Sequence, residues 1–219
     1  CEGTDCDRLM DELKKTGKPV RKIAIQELGG VTKAVQIGSD IAREMVIQLS
    51  GQQRVSADIS NVVMSIKCGA SDATSGMASN CAIGYVADKL VDLGATVVFG
   101  ETTEFLGAEH LLADRAVNQS VANDIFRIVN CMEMRAKSLG CDMRKGQPTP
   151  GNIAGGLTTI EEKSLGAIMK SGSRAIQGVL EYPERVTTHK GLWIKDTPGR
   201  EPEILTGMAA TGAQVMLFS

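Results

Sequence analysis

Apolar residues along this chain switch between two spacings, one helical and one suited to buried strands. Between Thr32 and Leu49, Ala34, Val35, Ile37, Ile41, Ala42, Met45, Val46 and Leu49 recur at helical intervals, while Lys33, Asp40, Arg43 and Glu44 are available for the other face. That spacing predicts an amphipathic helix. From Ile59 to Ile66 the centre Val62-Val63-Met64 is apolar on successive residues, as in a strand covered on both faces. Further strand candidates stand at 95–99, 176–180, 192–194 and 214–218, and another at 19–27, after a charged helical stretch from Asp7 to Lys15. Helical spacing returns from Ser79 to Leu93, over a long stretch from Ala108 to Leu139 that Gly140 would cap, and around 204–210. It also covers 158–170, with Thr158 or Thr159 as N-cap and Glu161 and Glu162 in the first turn, where the helix dipole favours carboxylates. Strand, loop, helix, strand is a βαβ unit, and such units build parallel sheets. The expected class is α/β: a mostly parallel sheet with helices on both faces, with room for a small extra lobe.

A length of 219 residues is long for one average domain and short for two. The expected organisation is the end of a preceding α/β lobe over residues 1–57 and a main α/β catalytic domain over 58–219, cut short at its C-terminus. The chain opens on Cys1 rather than Met and closes on an apolar strand candidate followed only by Ser219, so both ends are expected to be internal to a longer chain. Composition narrows the partners. With 24 Lys+Arg against 26 Asp+Glu, a net charge of -2, the chain carries no overall footprint for nucleic acid. Four Phe, two Tyr and one Trp leave few platforms for stacking bases. No apolar run is long enough for a membrane span and no charged-then-apolar leader is present, so the expectation is a cytoplasmic protein with no membrane partner. The six cysteines lack zinc-site spacing in a chain much larger than disulfide-dependent scaffolds, and Cys81 and Cys131 read as buried thiols.

Three segments carry candidate chemistry. Lys67-Cys-Gly-Ala-Ser-Asp-Ala-Thr-Ser-Gly76 joins a strand to a helix, where open α/β sheets place ligands. Its small residues let backbone N–H groups approach a carboxylate or phosphate, and Ser71, Thr74, Ser75 and Ser79 add hydroxyls. It is neither a P-loop nor a dinucleotide fingerprint. Cys68 and Asp72 are not demanded by turn geometry, which raises them above spacer residues. The next strand ends in Gly100-Glu-Thr-Thr-Glu-Phe-Leu-Gly-Ala-Glu-His110, which puts Glu101 at the carboxyl edge of the sheet beside the first loop. Glu101, Glu104, Glu109 and His110 could ligate a divalent metal or supply an acid and a base, although Glu109 and His110 also suit a helix start. His189 sits in a polar turn and reads as exposed. In the third segment, Gln147-Pro-Thr-Pro-Gly-Asn-Ile-Ala-Gly-Gly156, Asn152 is the obvious polar contact.

These segments, continued through Leu157-Thr-Thr-Ile-Glu-Glu-Lys-Ser-Leu-Gly166, resemble the altronate/galactarate dehydratase family, which includes the (2R)-sulfolactate sulfo-lyase large subunit. Cys1-Glu2 resembles the end of an earlier part of that family's body, and members carry a small N-terminal domain or separate small subunit. The resemblance implies a hydro-lyase that eliminates water from a sugar acid such as altronate or galactarate, dependent on iron(II) or manganese(II) and assembled as a homo-oligomer. It implies a small hydroxy-carboxylate substrate on Cys68, Gly69, Ser71, Asp72, Ser75, Gly76 and Asn152. The metal is expected at Glu101 and Cys68, with His110, Glu104 and Lys163 in proton transfer. Ile153, where sugar-acid members often carry Lys, and Ala70, where many have a second glycine, keep sulfite release from sulfolactate as a competing reading. A non-catalytic carboxylate-binding fragment is a further alternative.

Overall fold

A computed structural model describes residues 5–187 and 190–219. Cys1, Glu2 and His189 lie outside the described residues. The chain divides into two compact units, the first ending at Ser56 and the second spanning Ala57–Ser219.

In the first unit, α1 (Cys6–Lys14) starts where the Asp5 carboxylate accepts from the Arg8 N–H at 2.9 Å. The amphipathic helix appears as α2 (Val31–Ser50). The strand expected at 19–27 is absent: residues 19–24 are irregular and 25–29 form turns. A strand needs a neighbour for its N–H and C=O groups, and the described residues of this unit contain no other strand. Ala34 is the one described residue here that is buried.

The second unit alternates strands and helices. In order come β1 (Val63–Lys67), α3 (Ser79–Asp92), β2 (Thr96–Phe99), α4 (Glu109–Ala113), α5 (Gln119–Ser138), α6 (Met143–Gly146) and α7 (Pro150–Ala154). Then follow α8 (Ile160–Ile168), β3 (Ile176–Leu180), β4 (Gly191–Lys195), α9 (Glu201–Thr211) and β5 (Val215–Phe218). The five strands form one sheet in the order β3-β4-β2-β1-β5, every pair parallel. Register sets Ile66 beside Phe99, and Phe99 beside Ile194, so the carboxyl ends of β1, β2 and β4 finish side by side.

Alternate strand residues serve two cores. Met64, Ile66, Val97, Phe99, Leu192 and Ile194 pack on Ala87 of α3, Ile125 and Ile128 of α5, and Ile168 of α8. Val98 and Trp193 face the other way, onto Ile204 and Met208 of α9. Each such side chain withdrawn from water contributes roughly 1.5–3 kcal/mol. This two-sided cover explains why the strands read as continuous apolar runs.

Two segments depart from the expected pattern. The long helical region expected from Ala108 to Leu139 is present as α4 and α5, interrupted where residues 115–117 pair with β3. Ile176 N–H donates to Arg115 O at 2.8 Å, Val117 N–H donates to Ile176 O at 3.1 Å, and Asn118 caps α5. The Pro- and Gly-rich stretch is ordered into α6 and α7 rather than one loop, with Pro150 in the first turn of α7 and a reciprocal Thr149/Asn152 capping box.

Candidate active site

The carboxyl ends of β1 and β2 deliver Lys67, Cys68 and Glu101 to one place. At the turn after β2, a Cβ on Gly100 would stand 2.4 Å from Thr197 Oγ1, so only glycine fits there. Glu101 then adopts φ 66°, the single positive φ of any non-glycine among the described residues. Such a conformation persists where surrounding bonds hold it. Here Glu101 N–H donates to Thr197 Oγ1 at 2.8 Å, and Thr102 N–H donates to Thr197 O at 3.0 Å. A 3-10 turn over Thr102–Phe105 carries Glu104 to the same spot.

Lys170, on a 3-10 turn that extends α8, inserts its ammonium between the two carboxylates. Its Nζ lies 2.5 Å from Glu104 Oε2 and 3.3 Å from Glu101 Oε2, and all three side chains are almost completely buried. Glu101 Oε2 also accepts from Cys68 N–H at 2.6 Å. Lys67 Nζ stands 3.5 Å from Glu101 Oε1 and 3.1 Å from Glu201 Oε1, and donates to Cys68 O at 2.6 Å. The Cys68 thiol is 3.1 Å from Ser71 Oγ.

Burial and charge set these groups apart. Burial pushes the Glu101 carboxyl above its ordinary range, against the pull of Lys170, and the neighbouring Glu104 charge adds to the rise. Burial works the same way on Glu104, yet Lys170 outweighs it and holds that carboxylate below its usual range. Lys170 is held above the ordinary lysine value, because Glu104 and Glu101 overcome the penalty of burial. Burial also raises the Cys68 thiol, with the Glu104 charge adding to it.

A cavity of about 430 Å3 opens over this cluster, lined by Lys67, Cys68, Gly69, Ala70, Ser71, Glu101, Glu104, Asn152 and Lys163 among others. A second cavity of about 440 Å3 lies beside it, lined by Asp72, Ser75, Gly76 and the apolar Met77, Leu157, Leu165 and Met169. Ser71 and Lys163 belong to both walls. The structure thus brings together Cys68, Gly69, Ser71, Glu101, Glu104, Asn152 and Lys163, with Asp72, Ser75 and Gly76 on the adjoining side. His110 is exposed on α4 and lines neither cavity, and Ile153 is exposed on α7 and lines neither.

Asp72 corrects an expectation. Its Oδ1 accepts from the N–H and hydroxyl of Thr74, both at 2.7 Å, and from the N–H and hydroxyl of Ser75 at 3.0 and 3.3 Å. The turn is built around this side chain. Asn152 does not project freely: its Oδ1 accepts from the Thr149 N–H and hydroxyl, and its Nδ2 donates to Ser71 O at 2.8 Å, which ties α7 to the loop after β1. Glu109 Oε2 accepts from Gly107 N–H, in keeping with a helix start.

Sequence reasoning missed Lys67, Lys170, Thr197 and Glu201. Lys67 stood inside the first motif, and Lys170 follows Lys163 by seven residues, two helical turns, which puts both on one face. Metal ligation by Glu101 and Cys68 meets an obstacle in this geometry. Glu101 and Glu104 converge on the Lys170 ammonium, which takes the position a bound cation would need. Among the described residues no three His, Cys, Asp or Glu side chains are grouped to hold a metal ion. The donor set of this cluster therefore does not fit a divalent metal. No helix of the described residues is long and apolar enough to cross a membrane.

Comparison with known proteins places the chain. It is 42% identical over 215 residues to (2R)-sulfolactate sulfo-lyase subunit beta of Chromohalobacter salexigens, covering 96% of this chain and 54% of that protein. It is 37% identical over 230 residues to galactarate dehydratase (L-threo-forming) of Escherichia coli, covering 99% and 43%. It is 31% identical over 220 residues to altronate dehydratase of Bacillus subtilis, covering 100% and 43%. The chain spans about half the length of these relatives. Residues 59–219, the whole sheet-bearing unit but its first two residues, match the family model described as D-galactarate/Altronate dehydratase, C-terminal, and the chain belongs to that family.

Proposed function

We propose that the intact protein is a lyase that eliminates water from a sugar acid such as altronate or galactarate to give a keto-deoxy acid, and that the cavity above Glu101 holds the reacting carbons. The observation that carries this reading is the buried Glu101–Lys170–Glu104 group at the carboxyl edge of the parallel sheet. Its two carboxyls are driven in opposite directions by their surroundings, the arrangement that separates a proton-exchanging group from a fixed charge. In the elimination the proton of a C–H bond adjacent to the substrate carboxylate passes to a base, the neighbouring C–O bond breaks as its hydroxyl takes up a proton and leaves as water, and the enol formed becomes the ketone. The proton next to a carboxylate is weakly acidic, so the step needs a base and cations or donors near the developing oxyanion.

Glu101 is the proposed base. It lines the cavity, its raised affinity for a proton suits the task, and the backbone at φ 66° fixes its approach. Glu104 remains ionised and keeps Lys170 in place. Lys170 and Lys67 hold the Glu101 carboxyl between them and fix its position under the cavity. The iron(II) or manganese(II) that the family resemblance implies finds no donor set in this cluster.

Sulfite release from sulfolactate is a second reading, favoured by the higher identity to the sulfo-lyase subunit, 42% against 37% and 31%; Ile153, exposed and outside both cavities, gives it no support. The same proton abstraction serves it, since sulfite leaves without a proton. Incubating the intact protein with altronate, galactarate and (2R)-sulfolactate, and measuring keto-deoxy acid and free sulfite, tests both. Keto-deoxy acid from a sugar acid supports the first reading, sulfite the second, and neither product overturns the lyase assignment.

A further inference from the structure

We propose that Lys163, expected from the sequence to move a proton, instead anchors an oxyanion of the ligand, a carboxylate or sulfonate. This deepens the lyase reading, and it rests on that reading only for the identity of the acid. The loop after β1 reads in the sequence as the anion cradle, but most of its amides are engaged. The N–H of Cys68 donates to Glu101, that of Gly69 to Ser219 O and that of Asp72 to Ser75 Oγ. The N–H of Ala73 donates to Gly155 O, and those of Thr74 and Ser75 to the Asp72 carboxylate. An anion taken up by these six amides would have to displace bonds that form the turn.

The lysines differ in the same sense. Lys67 and Lys170 are each paired with two carboxylates, and neither has positive charge left over. Lys163 forms no ion pair among the described residues. Its Nζ donates to two neutral side-chain amides, Gln147 Oε1 at 3.0 Å and Asn152 Oδ1 at 3.2 Å. An ammonium has three protons, so two neutral acceptors fix its direction and leave one donor and a full charge for a ligand. Its surroundings are themselves fixed, because the Asn152 oxygen that orients it is held by the Thr149 capping box and by the bond from Nδ2 to Ser71 O. Lys163 is half-buried and lines both cavities, and its charge reaches Glu104. An oxyanion held here sits at the junction of the two cavities, with the carbons attached to it extending over Glu101.

Binding of malonate and of sulfoacetate to the intact protein, measured by titration calorimetry for wild type, Lys163→Met and Lys163→Arg, tests the proposal without requiring turnover. A charge-assisted hydrogen bond of this kind is worth on the order of 10- to 100-fold in affinity. Lys163→Met is expected to weaken both probes by that factor and Lys163→Arg to restore most of it. Tighter binding of sulfoacetate than malonate would mark a sulfonate as the anchored group, and the reverse a carboxylate. Once a substrate is known, Lys163→Met is expected to raise KM by a similar factor with kcat largely kept. Wild-type affinity in Lys163→Met, no binding of either probe to wild type, or a loss of kcat at unchanged KM would overturn the assignment. Lysine-dependent binding without turnover of any acid would overturn only the lyase reading.

Discussion

Lys170 and Lys195 are both sealed from solvent, at 1% and 0% exposure, in the same sheet-bearing unit. Their surroundings drive them apart. Lys170 lies between two carboxylates and is held above the ordinary lysine range despite burial. Lys195, at the end of β4 on the α9 side, donates among the described residues to one backbone carbonyl, Glu184 O at 2.6 Å, and burial pushes it down to about 8 against a smaller opposing pull from Glu184. Burial alone therefore does not make a functional lysine. A compensated charge costs little to keep and, beside a cavity, can organise other charges, whereas an uncompensated one merely raises the free energy of the fold.

The contrast breaks most readily on substitution. Lys170→Met leaves Glu101 and Glu104 buried without their cation and is expected to cost about 3–5 kcal/mol in urea unfolding, whereas Lys195→Met is expected to be neutral or stabilising. Equal losses in the two variants would erase the distinction. A smaller effect comes from pH. The folded value of Lys195 near 8 lies below the ordinary 10.5, so between them the unfolded chain binds more protons and stability rises with pH. The cost is fully present below pH 8 and fades toward 10.5, a gain of at most about 3 kcal/mol that Lys195→Met should lack. Parallel pH curves for wild type and that variant would contradict the assignment. Smallest is the neutral network at the site, where Thr149→Ala removes the cap of α7 and is expected to cost about 1 kcal/mol by the same unfolding assay.

Much of the fold was legible because two-sided burial writes itself as unbroken apolar runs. The strand at 95–99 is an example, whereas the helix at 158–170 was legible from its spacing, its cap and its first-turn carboxylates. What was not legible depended on partners distant in sequence. The stretch 19–27 has strand composition but no neighbour within its unit. The break after α4 exists because residues 115–117 pair with Ile176, some sixty positions away. At the site, Cys68, Glu101, Glu104 and Lys163 stood in readable motifs, but Lys170, the last residue of the expected helix, carries no sequence sign of the burial the fold imposes on it. Asp72 looked chemical because the sequence hides that Thr74 and Ser75 fold back onto it.

In the proposed reaction Glu101 exchanges the proton, with the Lys170 cluster holding it in place. The most direct measurement is single-turnover kinetics of the intact protein on whichever acid it converts, comparing wild type with Glu101→Gln, a variant of nearly the same shape. Losing a positioned base is expected to slow the step by about 100- to 10,000-fold while acid binding at Lys163 is kept. Turnover by Glu101→Gln at the wild-type rate would contradict the account.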